Sequence, residues 1–238
     1  MPELLFGHPI RCRNLLPVLP VAGSMTTIKE LSRKASPAGR PQPLAYLAGT
    51  LWMGSWDTDR LYAIDPRTWK VIEEIRAPGK PYGLAVWRDG LRVVVSLGED
   101  DDRYFYQFRP GQGFDADSKT PCPDLTGSHL ASDDSVLYMT QMGFRRILAF
   151  DAEGAVVREV ALPTRCGGIG VRRGTFYMIT ADEEFENLEL ATLDVRMTNP
   201  APKPVATIPF DARALAFDGE RSWTSHREAN EIVEFQVS

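Results

Sequence analysis

A short motif recurs five times along the 238-residue chain, and its spacing is the strongest constraint on the fold. In each copy an apolar residue stands directly before a small one. The five leading apolar residues are Leu44, Leu84, Leu130, Ile169 and Leu215. Successive copies lie 40, 46, 39 and 46 residues apart, which is the length of one supersecondary unit in a repeat protein. The small residue is alanine in four copies and glycine in the other, as close packing in a crowded interior requires.

Each unit also contains segments with the length and composition of β-strands. An aromatic residue stands eight positions after the leading residue in four units, whereas the second unit has Arg92 there. These aromatic residues are Trp52, Tyr138, Tyr177 and Trp223. An alternating segment such as RLYAID follows, and a further apolar segment such as VIEEI closes the unit. Four strands in each of five units predict an all-β, five-bladed β-propeller with four antiparallel strands per blade.

The two ends of the repeat region predict how the ring closes. The fifth unit stops after its third strand, EIVEFQVS, and lacks a fourth. Near the N-terminus, TIKEL matches VIEEI position by position. We therefore expect residues 26–33 to form the outer strand of the last blade, which would hide edges that otherwise aggregate. The predicted propeller domain spans residues 26–238.

Residues 1–25 differ in character from the rest of the chain. Prolines and arginines between positions 9 and 20 interrupt the apolar core that a secretory leader needs. Two interpretations remain open. The segment is a flexible N-terminal extension, or it follows an upstream start codon ahead of a natural start at Met25.

The composition excludes several classes of protein. The chain carries 27 Lys and Arg against 32 Asp and Glu, a net charge of −5, and 43% of its residues are hydrophobic. This balance argues against a disordered chain and against a general nucleic-acid binder. The sequence contains no run of about 18 apolar residues, so it predicts no membrane-spanning helix. Cys12, Cys122 and Cys166 include no CxxC pair, so we expect free thiols and a cytoplasmic location.

The units DRLYAIDPRTWKVIEEI and RRILAFDAEGAVVREV resemble the repeats of the YVTN, NHL and SMP-30/gluconolactonase-like propeller superfamily. In size, and in GTLWMGSWDTDRLYAIDP, the chain is most similar to the glutamine cyclotransferase group, which implies five blades. Gln42 and Tyr82 stand where that group has an acidic residue, so the resemblance extends to the fold rather than to the cyclase reaction. Gluconolactonase-like enzymes hold a divalent metal on the axis with Glu, Asn and Asp. Only one residue near the axis here is a good neutral metal ligand, so we expect neither a metal nor a cofactor.

Polar and aromatic residues at strand ends predict a ligand pocket at the mouth of the channel. In a propeller, the connections between blades share one face with the loops between second and third strands. On that face we expect Trp56, Tyr82, Gln141 and Arg213 to bind a small molecule or peptide with a carboxylate or carbonyl. The alternatives are that Arg213 pairs with a nearby aspartate and that Trp56 packs between blades.

A second hypothesis makes the protein a hydrolase, lyase or cyclotransferase. His129 or His226 would then act as a general acid or base, because imidazole titrates near neutral pH. The alternative for His129, which directly precedes a leading residue, is a hydrogen bond within its own blade.

A third hypothesis is a protein-interaction platform formed by an acidic rim. Eleven acidic residues fall in the loops between second and third strands: Asp57, Asp59, Glu99, Asp100, Asp101, Asp102, Asp182, Glu183, Glu184, Glu186 and Glu228. Nearby arginines, among them Arg103 and Arg227, would neutralise part of this charge. The alternative is a solvated surface without a partner. The sequence predicts no oligomeric state.

Overall fold

The computed structural model describes residues 25–133, 135–197 and 200–237. Its strands form five antiparallel sheets of four strands, and the innermost strands of neighbouring sheets contact one another in a closed ring. The predicted all-β, five-bladed propeller is therefore confirmed. Residues 1–24 of the predicted N-terminal extension lie outside the described residues.

Strand β1 (Lys29–Ala35) opens the series and belongs to the last blade. The first blade, ordered from the axis outwards, contains β2 (Pro41–Leu47), β3 (Thr50–Ser55), β4 (Arg60–Ile64) and β5 (Val71–Arg76). The second blade contains β6 (Lys80–Trp87), β7 (Gly90–Leu97), β8 (Asp102–Arg109) and β9 (Gly113–Pro121).

The third blade contains β10 (Leu130–Asp133), β11 (Val136–Gln141), β12 (Arg146–Phe150) and β13 (Val156–Ala161). The fourth contains β14 (Arg165–Arg172), β15 (Thr175–Ala181), β16 (Leu188–Thr192) and β17 (Lys203–Ile208). The fifth contains β18 (Ala216–Phe217), β19 (Ser222–His226) and β20 (Glu231–Gln236), followed by β1. Two single-turn 3₁₀ helices, Pro123–Leu125 and Met142–Phe144, lie in the loops of the second and third blades. Within the described part of the chain, no helix is long and apolar enough to cross a bilayer.

The ring closes through the N-terminal strand, as the sequence predicted. Strand β1 pairs with β20 from Lys29 opposite Gln236 to Ala35 opposite Glu231. The strand is shifted towards the C-terminus relative to the predicted residues 26–33. The reason is that the residues just before it bond to the fourth blade, where the Ile28 amide donates to the Thr207 carbonyl at 2.9 Å. The N-terminal segment therefore ties the last two blades together.

The five leading residues of the repeat close the axis. All five are buried, and the space between them is too small for a water molecule. Beside them, Gly170 leaves room for the Phe217 ring, which a Cβ at that position would strike. The axis is therefore closed at this level, and a depression of about 250 Å³ lined by the inner strands of all five blades lies on the side of Tyr46, Ser132 and Phe217.

At four of the five junctions between neighbouring blades, the aromatic residue of the repeat takes part in an aromatic pair. In each pair the aromatic residue of one repeat meets an aromatic residue of the next blade. The ring-centroid distances are 5.0 Å for Trp52–Phe108, 5.2 Å for Tyr138–Phe176, 5.5 Å for Tyr177–Phe217 and 5.6 Å for Trp223–Tyr46. Arg92 takes the corresponding place in the second blade, and the second and third blades are joined instead by Phe105 and Phe150, whose ring centroids lie 5.4 Å apart.

Candidate functional site

One face of the propeller carries the connections between blades together with the loops that follow each second strand. We call the polar and aromatic side chains around the axis on this face the mouth cluster. Its members are Gln42, Trp56, Tyr82, Arg103, His129, Asp211, Arg213 and Arg227. They lie above the leading residues that close the axis.

Irregular strand ends place several of these residues. The pairing of β2 with β3 shifts between Pro41 and Leu44, and Gln42 lies inside that shift. A similar shift in β6 between Pro81 and Gly83 contains Tyr82. Such bulges bend a strand and redirect a side chain, which here lets each inner strand present a polar or aromatic group near the axis.

An aromatic pair flanked by two arginines spans three blades across the mouth. The rings of Trp56 and Tyr82 lie 4.5 Å apart between their centroids, and both side chains are half-buried. The Arg227 guanidinium lies 5.0 Å from the Trp56 ring, and the Arg103 guanidinium lies 3.3 Å from the Tyr82 ring. A cation on each side of an aromatic pair is favourable because the ring faces carry partial negative charge. The four side chains therefore fill much of the mouth.

Polar contacts within and beside the second blade fix the positions of Arg103 and Tyr82. Arg103 forms an ion pair with Asp101, and it also donates to the Gly127 carbonyl at 2.6 Å. The Tyr82 hydroxyl donates to the Asp101 carboxylate at 3.3 Å. Burial raises the pKa of Asp101, but the hydrogen bonds from Arg103 and Ser96 outweigh it and lower the pKa overall. Arg103 is thus largely committed to this blade.

The fifth blade contributes two arginines that share one carboxylate. Arg213 Nη2 lies 2.5 Å from Asp211 Oδ1, and Arg227 Nε lies 3.7 Å from Asp211 Oδ2. The backbone brings them together because Arg213 and Arg227 extend the pairing of β18 and β19, with the Arg227 amide donating to the Asp211 carbonyl. Both oxygens of Asp211 are buried without a well-directed hydrogen bond. Burial, followed by the charge of Arg213, lowers the pKa of Arg227.

His129 forms the buried floor of the cluster. Its Nε2 lies 3.3 Å from the amide nitrogen of Gln42, whose oxygen accepts from Arg227 Nη1 at 3.3 Å. Because the amide nitrogen can only donate, His129 Nε2 accepts and the ring proton resides on Nδ1. Burial lowers the pKa of His129 to about 3, and the charges of Arg213, Arg227 and Arg103 act in the same direction. The imidazole is therefore neutral near neutral pH.

Two of the predicted site residues lie outside this group. His226 Nδ1 lies 3.3 Å from Arg33 Nη1 and 3.6 Å from Glu231 Oε2, so it belongs to the side of the fifth blade next to β1. Gln141 donates to the carbonyls of Pro123 and Thr126 at 2.7 and 2.8 Å and accepts from Arg146 at 2.6 Å. Its polar atoms therefore hold a loop in place.

The other predicted residues, Trp56, Tyr82, His129 and Arg213, do come together. Arg213 pairs with Asp211, which is the alternative raised from the sequence. Sequence reasoning gave Arg103 and Arg227 only the task of neutralising nearby acids. Arg103 and Arg227 directly flank loops on the same face, and this position in the sequence could have predicted that they belong to the mouth cluster.

Two acidic residues of the rim, Asp182 and Glu183, have hydrogen-bond or ion-pair partners within the protein. Asp182 accepts from the backbone amides of Glu186 and Asn187, which fixes its own loop. Glu183 pairs with Arg145 and with Arg165, the latter at 2.9 Å. Across residues 25–133, 135–197 and 200–237, no three His, Cys, Asp or Glu side chains form a group suited to a metal ion.

Comparisons with known proteins agree with the fold. No protein-family model matches the chain, and the search of curated proteins also finds no match. Among solved structures, the glutaminyl cyclase of Myxococcus xanthus is similar, with a TM-score of 0.66 and 12% identity over 88% of this chain and 96% of that one. Virginiamycin B lyase from Staphylococcus aureus gives a TM-score of 0.51 and 12% identity, covering 87% of this chain and 99% of that one.

A PQQ-bound aldose sugar dehydrogenase from Streptomyces coelicolor is also similar, with a TM-score of 0.54 and 14% identity over 84% of this chain and 78% of that one. At such low identity the likeness shows the fold alone. The chain is a five-bladed β-propeller.

Proposed function

We propose that the protein binds a small molecule or peptide through a carboxylate at the mouth cluster. The observation that carries this proposal is the excess of cationic groups there. Among the described residues, Arg103, Arg213 and Arg227 form ion pairs with two carboxylates, those of Asp101 and Asp211. A carboxylate that accepts from the outer edge of Arg227 would compensate a guanidinium whose pKa is lowered by burial.

The surroundings of Trp56 support the same ligand. Besides Arg227, the side chains of Arg40 and Lys80 lie 5.8 and 5.9 Å from its ring. The half-buried Trp56 and Tyr82 offer aromatic surface to the body of a ligand whose carboxylate faces these cations. This arrangement favours an anion that carries an apolar or planar part.

The geometry gives less support to acid–base catalysis by a histidine. A general acid or base works best when its pKa lies near the working pH, whereas that of His129 is lowered to about 3. Its Nε2 lone pair also accepts from Gln42. His226 lies beside Arg33 and Glu231, away from the mouth cluster. The catalytic roles of both histidines stay predictions.

An interaction platform is the second candidate, because the axis is closed and side chains fill its mouth. Such a surface is better suited to contact with a partner protein than to a ligand that enters deeply. This candidate predicts binding to a basic protein that weakens as ionic strength rises, because exposed charges are screened by salt.

Calorimetric titration would test the carboxylate proposal. The probes are acetate, succinate, citrate and a short peptide with a free or an amidated C-terminus. We expect the free carboxylate to bind and Arg227→Gln to lower its affinity by about tenfold or more, the effect of losing one charge-assisted hydrogen bond. Trp56→Ala should weaken binding of the peptide more than that of acetate.

Arg221→Gln is the matched control. Arg221 also pairs with an aspartate, Asp218, and also lies over a tryptophan ring, but at the opposite end of the fifth blade. Equal affinity in wild type, Arg227→Gln and Trp56→Ala would contradict the proposal. Absence of binding by every carboxylate at millimolar concentration would also contradict it and would favour the interaction platform.

A further inference from the structure

A groove between the second and third blades has no role in the mouth cluster and shares no residue with it. Its volume is about 450 Å³, and it opens beside the one repeat whose aromatic residue is replaced by Arg92. Its apolar wall is formed by Trp87, Phe105, Leu137 and Phe150. The break in the repeat therefore places a guanidinium in a groove at a blade junction.

The neighbouring junction shows what the regular repeat does. A groove of about 430 Å³ also lies between the third and fourth blades, and there the repeat residue is Tyr138. The Tyr138 hydroxyl donates to Asp133 at 2.9 Å, and its ring packs on Phe176. The polar end of that side chain thus has its partner within the protein.

Arg92 is in a different situation. Its Nη2 donates to the Thr120 hydroxyl at 3.0 Å, and its guanidinium lies 5.1 Å from the Phe105 ring. In the described part of the chain, no carboxylate lies within ion-pair distance of it. Burial lowers the pKa of Arg92, and the charge of Arg88 lowers it further. A half-buried cation without a counter-ion is an unusual and costly arrangement.

Two of the three acids that line the groove, Asp115 and Asp151, have other partners. Asp115 lies 3.6 Å from Arg109, with which it forms an ion pair. Asp151 accepts from the amides of its own turn, including that of Ala155 at 2.8 Å. Arg88 donates to the Ala152 carbonyl across the groove. With Glu153 included, three acids and three arginines line the groove, so a doubly charged phosphate ester would be compensated less well there than a monocarboxylate.

We propose that this groove is a second binding site, which takes a small organic monocarboxylate with a flat apolar body. The carboxylate lies against Arg92 and the Thr120 hydroxyl, and the apolar body lies along Trp87, Phe105 and Phe150. The paired N–H groups of a guanidinium match the two oxygens of a carboxylate. The aromatic wall accounts for the apolar part of the ligand.

Calorimetric titration of the whole protein with 3-phenylpropionate tests the proposal, with 3-phenylpropanol as the uncharged counterpart. We expect the acid to bind and the alcohol to bind at least about tenfold more weakly, since only the acid can pair with Arg92. Arg92→Gln should lower the affinity for the acid by about tenfold or more and leave the affinity for the alcohol unchanged. Arg92→Tyr, which restores the aromatic residue of the repeat, should likewise lower the affinity for the acid by about tenfold or more, because it removes the guanidinium.

Arg221→Gln serves as the control for loss of an arginine elsewhere, and circular dichroism confirms that each variant is folded. Equal affinity for the acid in wild type and Arg92→Gln would overturn the proposal, as would failure of the wild type to bind it. Loss of the signal in Arg227→Gln but not in Arg92→Gln would assign the probe to the mouth cluster. That result would overturn the groove site and leave the mouth-cluster proposal standing, so the two proposals fail separately.

Discussion

The buried histidine at the floor of the mouth cluster makes the stability of the protein depend on pH in a specific way. The pKa of His129 is about 3 in the folded protein, against an ordinary value of 6.5. Below pH 6.5 His129 is protonated in the unfolded chain but stays neutral in the folded protein. The free energy of unfolding therefore falls as the pH falls towards 3. At 1.36 kcal/mol for each pKa unit, His129 alone removes about 2 kcal/mol between pH 7 and pH 5.

Replacing His129 with glutamine removes this proton uptake and keeps a polar side chain beside Gln42. Urea unfolding followed by tryptophan fluorescence at pH 7, 6 and 5 gives the free energy of unfolding of both proteins. We expect wild type to be the more stable at pH 7 and its advantage to shrink by about 2 kcal/mol at pH 5. Carboxylates titrate alike in both proteins and cancel in the difference. An advantage that does not change with pH would refute the buried neutral histidine.

Three further predictions follow from packing and burial. Trp223→Ala should lower the free energy of unfolding by about 3–5 kcal/mol, because it empties a fully buried site between the last and first blades; urea denaturation measures this. Gly83→Ala should cost about 1–3 kcal/mol, since a Cβ there would strike a carbonyl oxygen of the third blade, whereas Gly143→Ala, with open space around it, should be nearly neutral in the same assay. Burial raises the pKa of Cys122 to about 12 and also raises that of Cys166, so alkylation at pH 8 followed by mass spectrometry should label neither thiol until urea unfolds the protein. Labelling of either in the folded protein would contradict their burial.

The architecture could be predicted because its determinants are local and repeated. The leading residue of each unit packs on its counterparts, so five copies at a regular interval specify five blades. Closure by an N-terminal strand also followed from the pattern of TIKEL, since an outer strand reads the same in every unit. The exact bounds did not follow, because Ile28 bonds to Thr207 of the fourth blade, and no feature of the segment itself indicates that contact.

The sequence could predict where the candidate site lies, but not which side chains contact one another within it. Strand ends on one face indicated that Trp56 and Arg213 would lie near the axis, and the structure brings them into one cluster. Which carboxylate Arg213 meets, and that His129 accepts from Gln42, depend on side chains from different blades. Arg92 was visible as a break in the repeat, but its position in a groove, with no carboxylate of the described residues within ion-pair distance, depends on how two blades pack against each other.

Closure of the ring by β1 also bears on how the chain matures. Ser32 lies opposite Glu234, so β1 pairs with a strand that comes about 200 residues later in the chain. During synthesis on the ribosome, β1 is therefore exposed long before its partner has been made. Until then the four-bladed remainder has two open edges, and β1 is free to add to the third strand of the fifth blade in another copy. Two chains that exchange β1 would each regain the same ladder of hydrogen bonds. Refolding at high protein concentration should therefore yield a strand-swapped dimer, and dilute refolding should yield closed monomers.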